Sequence, residues 1–233
     1  MITSLEKELK KHADPQNAKN LARFFKTGKG EYGEGDKFLG IKIPVLMSIV
    51  KKHLDLTTAD IKTLLLSKIH EHRTIALVIL KHQFAKAGEK QQKKIVDFYL
   101  KHTKSINNWD LVDISAPKIL GVWLLNHPED KKILYQLAKS KNLWEKRIAI
   151  MTTFAFIKEK QFDDALKIAM ILLCDSHDLI HKAVGWMLRE IGKIDQKTEE
   201  MFLKQYFKIM PRTMLRYAIE KFNPKKRAFY MKK

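Results

Sequence analysis

Arg73-Thr74-Ile75-Ala76-Leu77-Val78-Ile79-Leu80 is a polar first turn running into an apolar helix, and its pattern returns along the chain. Arg147 precedes Ile148-Ala149-Ile150-Met151, Lys182 precedes Ala183-Val184-Gly185-Trp186, and Arg216 precedes Tyr217-Ala218-Ile219. Asp110, ahead of Leu111-Val112, completes the series, with steps of 37, 37, 35 and 34 residues between the five positions. A helical hairpin repeated at that length predicts an all-α fold, an α-solenoid of HEAT-like repeats forming a single domain over 1–233. One hairpin cannot bury its own apolar face. Stacked hairpins share a core and leave a concave surface lined by their second helices.

The rest of the chain agrees with that period. Glycine (9) and proline (6) are scarce in 233 residues, helical periodicity runs through nearly every segment, and no alternating strand stands out. Start signals recur at Asp14-Pro15 before 16–26, Ile43-Pro44 before 45–53, Thr57/Thr58 before 61–67 and His127-Pro128 before 129–139. The Gly-rich stretch 27–36 neither follows a strand nor ends in Gly-Lys-Ser/Thr, so it reads as a connector and not a phosphate loop.

Charge narrows the partner. Lys+Arg number 45 against 26 Asp+Glu, a formal net charge of +19, which favours nucleic acid over an anionic membrane, with plain solubility as the competing account. Four of the five aligned positions carry Arg73, Arg147, Lys182 and Arg216, so the concave surface is expected to be a basic groove suited to a duplex backbone. The first polar turn of many helices also carries Lys or Arg. No apolar run approaches a membrane span and no leader pattern opens the chain, so a soluble, cytoplasmic protein is expected. The single Cys174 ends an apolar run and reads as a core thiol. His70, His72 and His127 border loops and read as surface or capping groups; no metal or cofactor is expected.

The unit that breaks the cation rule holds the best candidate for chemistry. In Asn107-Asn108-Trp109-Asp110-Leu111-Val112-Asp113, Trp109 and Asp113 share one helix face, after an N-cap at Asn107 or Asn108 and before a break at Pro117. Asp110 reads as an acid favouring the helix dipole. A second stripe joins Lys182, Trp186 and Arg189, which is either core packing with snorkelling cations or an exposed aromatic between phosphate ligands. Trp123 and Trp144 sit among apolar neighbours and read as core.

At these residues the chain resembles the AlkD-type DNA alkylation repair family, the HEAT-like-repeat DNA glycosylases. The strings that carry the resemblance run from Gly33 to Pro44, Asn108 to Asp113, Leu143 to Ala149, Lys182 to Glu190 and Pro211 to Ile219. The resemblance implies a monofunctional glycosylase that removes N3- or N7-alkylated purines from duplex DNA without rotating the base into a pocket; a monomer is the default expectation. It implies Asp113 as catalytic carboxylate, Trp109 and Trp186 as aromatics against the lesion nucleotide's backbone, and Arg147 as the cation on the nearby strand. Arg73, Lys182, Arg189 and Arg216 are the expected DNA ligands. Phe24 and Phe25 both fall where relatives have a tyrosine, and the sequence does not choose between them.

The implied chemistry suits a lone acid. An alkylated purine is already cationic and leaves without being protonated, while a carboxylate stabilises the positive deoxyribose that forms and positions water. Two other classes fit the same features: a non-catalytic binder of branched or distorted DNA, and a HEAT-type scaffold for an acidic protein.

Overall fold

The computed structural model describes residues 2–232, and among them it contains helices and no strand. Packing divides the chain into two compact units, one up to Ser115 and one from Ala116.

The first unit holds α1 (Ile2–Lys11), α2 (Pro15–Phe24), α3 (Ile43–Val50), α4 (Thr58–Leu65), α5 (His70–Lys86), α6 (Glu89–Lys101) and α7 (Trp109–Ser115). Its helix starts follow the signals in the sequence. Asp14 accepts the amides of Gln16 and Asn17, and Thr57 forms a reciprocal capping box with Asp60. α2 ends two residues before the expected Lys26 because Lys26 itself turns to a left-handed φ of 51°. α5 is the centre of the unit, buried on nearly all sides from His70 to Leu80 and packed on α3, α4, α6 and α7.

The second unit holds α8 (Leu120–Asn126), α9 (Lys132–Ala138), α10 (Leu143–Lys158), α11 (Asp163–Ile171), α12 (Asp178–Ile194), α13 (Gln196–Tyr206), α14 (Arg212–Ala218) and α15 (Pro224–Met231). α8, α10, α12 and α14 pack each on the next, while α9, α11 and α13 cover them from one side. This is the two-layer stacking of helical hairpins that the repeat predicts. The layers are tight where glycine allows it. A Cβ on Gly185 would lie 2.4 Å from the Met214 carbonyl, so α12 and α14 approach there only because the side chain is missing. Trp123 and Trp144 are core residues as expected, 4% and 7% exposed.

Two local expectations are corrected. The segment after His127-Pro128 begins as a 3₁₀ turn, Pro128–Lys131, before α9 takes over. Cys174 is exposed, not a core thiol: α11 ends at Ile171, and the turn that follows carries the thiol outward.

α13 also buries an acid. Glu199 is 1% exposed, its Oε1 has no hydrogen-bond partner, and it lies against Gly192, where a Cβ would fall 1.6 Å from Oε2. Burial, helped by Glu200 and opposed by Arg189, pushes its carboxyl up to about 8. The folded state therefore holds a proton that the unfolded chain releases near pH 4.5. Stability is full below that value, falls as pH rises towards about 8, and then levels. Urea denaturation at pH 5 and pH 8 is expected to show a loss on the order of 3–5 kcal/mol in the wild type that Glu199→Gln lacks. Parallel losses in the two proteins would show that Glu199 does not hold that proton.

Candidate nucleic-acid site

α7 is short because both ends are fixed. Asn108, fully buried, accepts the Trp109 amide on its side chain at 2.9 Å and the Val112 amide on its carbonyl. At the other end Ser115 bonds back to the Leu111 carbonyl at 2.6 Å, and Pro117, lacking an N–H, cannot continue the ladder. Trp109 and Asp113 lie one turn apart on this helix, both half-buried. The Trp109 indole stacks on Phe25 at 5.4 Å and meets Phe24 edge-on at 6.0 Å. Phe25 is buried behind it, whereas Phe24 is 63% exposed, so Phe24 is the phenylalanine that reaches solvent beside Trp109. Burial first, and then the charge of Asp113, push the hydroxyl of buried Tyr99 upward.

Asp110 belongs to something else. Its Oδ2 lies 2.8 Å from His70 Nε2, and the other ring nitrogen of His70 lies 3.5 Å from Asp36 Oδ2. Asp36 is in turn held by Arg73 at 2.6 Å and by the Asn107 amide at 3.3 Å. The result is a buried ionic chain, Arg73–Asp36–His70–Asp110, joining the connector, α5 and α7. Two expectations are corrected by it. Arg73 is 3% exposed and donates its remaining Nη1 to the Ser67 carbonyl, so it is a structural cation and not a phosphate ligand. His70 and His72 are 4% and 8% exposed, not surface groups.

The connector is fastened by one more group that sequence reasoning missed. Glu71, buried in the first turn of α5, accepts the amides of Leu39, Gly40 and Ile41 at 3.0, 2.8 and 3.3 Å. Gly40 has a φ of 84°, and a Cβ there would sit 2.1 Å from the Asp14 carbonyl, so the chain turns under α2 only with glycine.

In the second unit, the aligned cations differ in exposure. Arg147 is 4% exposed and donates Nη1 to the Leu179 carbonyl in the first turn of α12 at 2.8 Å. It is therefore buried, not a surface member of an even row. Lys182 is half-exposed and pairs with Asp178 at 2.6 Å, while Arg216 is exposed. Arg189 reaches Glu220 and lies 3.8 Å from Glu190. Trp186 is half-buried, with its indole N–H donated to Glu190 at 2.9 Å and its ring 6.2 Å from Phe154. His127 stacks on Trp123 and donates to its carbonyl at 3.0 Å, a capping role of the kind expected. Among the described residues, no cluster of three or more His, Cys, Asp or Glu could hold a metal, and no helix is long and apolar enough to cross a membrane.

The model of the family described as DNA alkylation repair enzyme matches residues 5–222. The chain belongs to that family. A solved structure from Enterococcus faecalis, described as a predicted DNA alkylation repair enzyme, superposes with a TM-score of 0.72. It is 17% identical, and the match covers 91% of this chain and 98% of that one. At that identity the superposition speaks for the fold. No curated protein matches by sequence. Family membership gives this chain a role in the repair of alkylated DNA.

Proposed function

We propose that this family member is a monofunctional DNA glycosylase that hydrolyses the N-glycosidic bond of N3- or N7-alkylated purines in duplex DNA. The observation that carries the reading is the pairing on α7: Asp113 and Trp109 lie half-buried one turn apart on a helix anchored at both ends, with Asp110 beside them bonded to His70. A carboxylate and an aromatic face held together in that way suit a sugar that becomes cationic as its base departs. Each indole face contributes about 0.5–2 kcal/mol to such a cation.

In this reading Asp113 stabilises the deoxyribose cation and orients water, and Trp109 and Trp186 are each an aromatic contact for the DNA backbone. Lys182, Arg189 and Arg216 supply phosphate contacts. Arg147, through its bond to Leu179, sets the start of α12 and hence Trp186. The chain acts as a monomer and as one repeat domain, without a cofactor, because a cationic purine needs no further activation to leave.

Incubation with duplex DNA methylated at purine nitrogens is expected to release 7-methylguanine or 3-methyladenine, identified by mass spectrometry, leaving an abasic strand uncut. Tight duplex binding with no released base would favour a binder of distorted DNA. No preference for methylated over plain duplex in competition would favour a protein scaffold.

A further inference from the structure

His70 lies at the junction of the ionic chain and the aromatic stack. Its two ring nitrogens face the carboxylates of Asp36 and Asp110, from the connector and from α7. Phe25 and Phe38 pack on its ring, each at 4.8 Å, and Phe25 continues to the Trp109 indole at 5.4 Å. Two physical routes therefore run from His70 to the site. One is the bond to Asp110, the residue next to Trp109 and three before Asp113. The other is a set of stacked rings ending on the indole itself.

We propose that His70 is the positioning residue of the Trp109–Asp113 site, through which the buried Asp36–Arg73 pair fixes the first turn of α7 and the plane of the indole. The inference rests on the glycosylase reading of that site. His70 is not a proton donor or acceptor for substrate, because it is 4% exposed and both nitrogens already meet carboxylates. Burial pushes its imidazolium down, but the bonds to Asp110 and Asp36 outweigh that and hold it above the usual histidine range. Nearby Arg73 opposes this from the same helix, and Phe25, just past the end of α2, packs on the ring. Protonated, the ring donates Nε2–H to Asp110 at 2.8 Å, while Nδ1 faces Asp36 at 3.5 Å and Arg73 Nη2 at 3.4 Å, contacts that together fix its rotation.

The test compares His70→Ala with His70→Gln, whose amide can still donate to Asp110. Hydrogen exchange is read on the peptide covering 107–115, and single-turnover excision and duplex affinity are measured in parallel. His70→Ala is expected to raise exchange in that peptide while leaving peptides of α10 and α12 unchanged. It is also expected to lower the excision rate about 10²-fold, as misplacement of reacting groups by about 1 Å does. Duplex affinity should stay within about threefold, since phosphate contacts set it. His70→Gln should recover most of the rate. Unchanged exchange at 107–115 in His70→Ala overturns the positioning role whatever the excision result, and so does raised exchange with an unchanged rate. Failure of the wild type to release any base overturns the glycosylase reading instead, and the exchange result still decides whether His70 places α7.

Discussion

Asp113→Asn is expected to lower single-turnover release of 7-methylguanine or 3-methyladenine by about 10²–10³-fold, the usual effect of removing one preorganised electrostatic group from a transition state. The substitution keeps the shape of the side chain and deletes its charge. The charge matters because the bonding pair leaves with the purine, which departs neutral, so the positive charge it carried passes to the deoxyribose beside the carboxylate. Duplex affinity should hold or rise slightly, since a carboxylate near phosphates opposes binding. The rate and the affinity therefore move independently. An Asp113→Asn protein that excises at the wild-type rate would remove Asp113 from the chemistry. Asp110→Asn is a useful companion, because its side chain meets His70 and not the substrate side; its loss should be smaller and accompanied by increased exchange in α7.

The largest effect on stability is expected at Glu71. Glu71→Ala leaves the amides of half-buried Leu39 and buried Gly40 and Ile41 without their acceptor. Each orphaned amide costs about 1–3 kcal/mol, and part is recovered if the loop opens to solvent, so a net loss of about 3–5 kcal/mol is expected. For a chain of this size that is a fall in Tm of about 8–15 °C. Glu71→Gln keeps one acceptor oxygen and should lose roughly half as much. Thermal melts of the three proteins check the order. A Glu71→Ala protein that melts within about 2 °C of the wild type would mean that the clamp contributes little.

The repeat, the helix starts at Asp14 and Thr57, and the core placement of Trp123 and Trp144 were all legible in the chain, because periodicity and capping are local. The ionic chain was not. Asp36, Arg73, His70 and Asp110 come from three segments, and nothing in any one segment marks it as a partner of the others. Arg73 looked like a phosphate ligand because its spacing matches that of Arg147, Lys182 and Arg216. Spacing places a residue on a helix turn; whether the turn faces solvent depends on what packs across from it. Asp110 illustrates the same point from the other side. It interrupts the row of cations, and the structure supplies the reason: its neighbour across the helices is an imidazole between two acids, where a lysine would face His70 and Arg73. The glycine of Gly33-to-Pro44 that mattered, Gly40, was visible as a residue but not as a close approach to Asp14.

The chain Arg73–Asp36–His70–Asp110 holds two acids and two bases, so with His70 protonated it carries no monopole. A protein with a formal charge of +19 thus keeps this interior ionic cluster electrically balanced, and the excess that a polyanion feels at a distance comes from solvated side chains outside it. Those two populations respond differently to electrolyte. Mobile ions weaken the pull of the surface lysines within about a Debye length, roughly 8–10 Å at ordinary ionic strength, but they screen a buried pair such as Arg73–Asp36 much less. On the proposed reading, capture of DNA and the internal alignment of α7 are in that sense separately tuned, one by the medium and the other by the sequence.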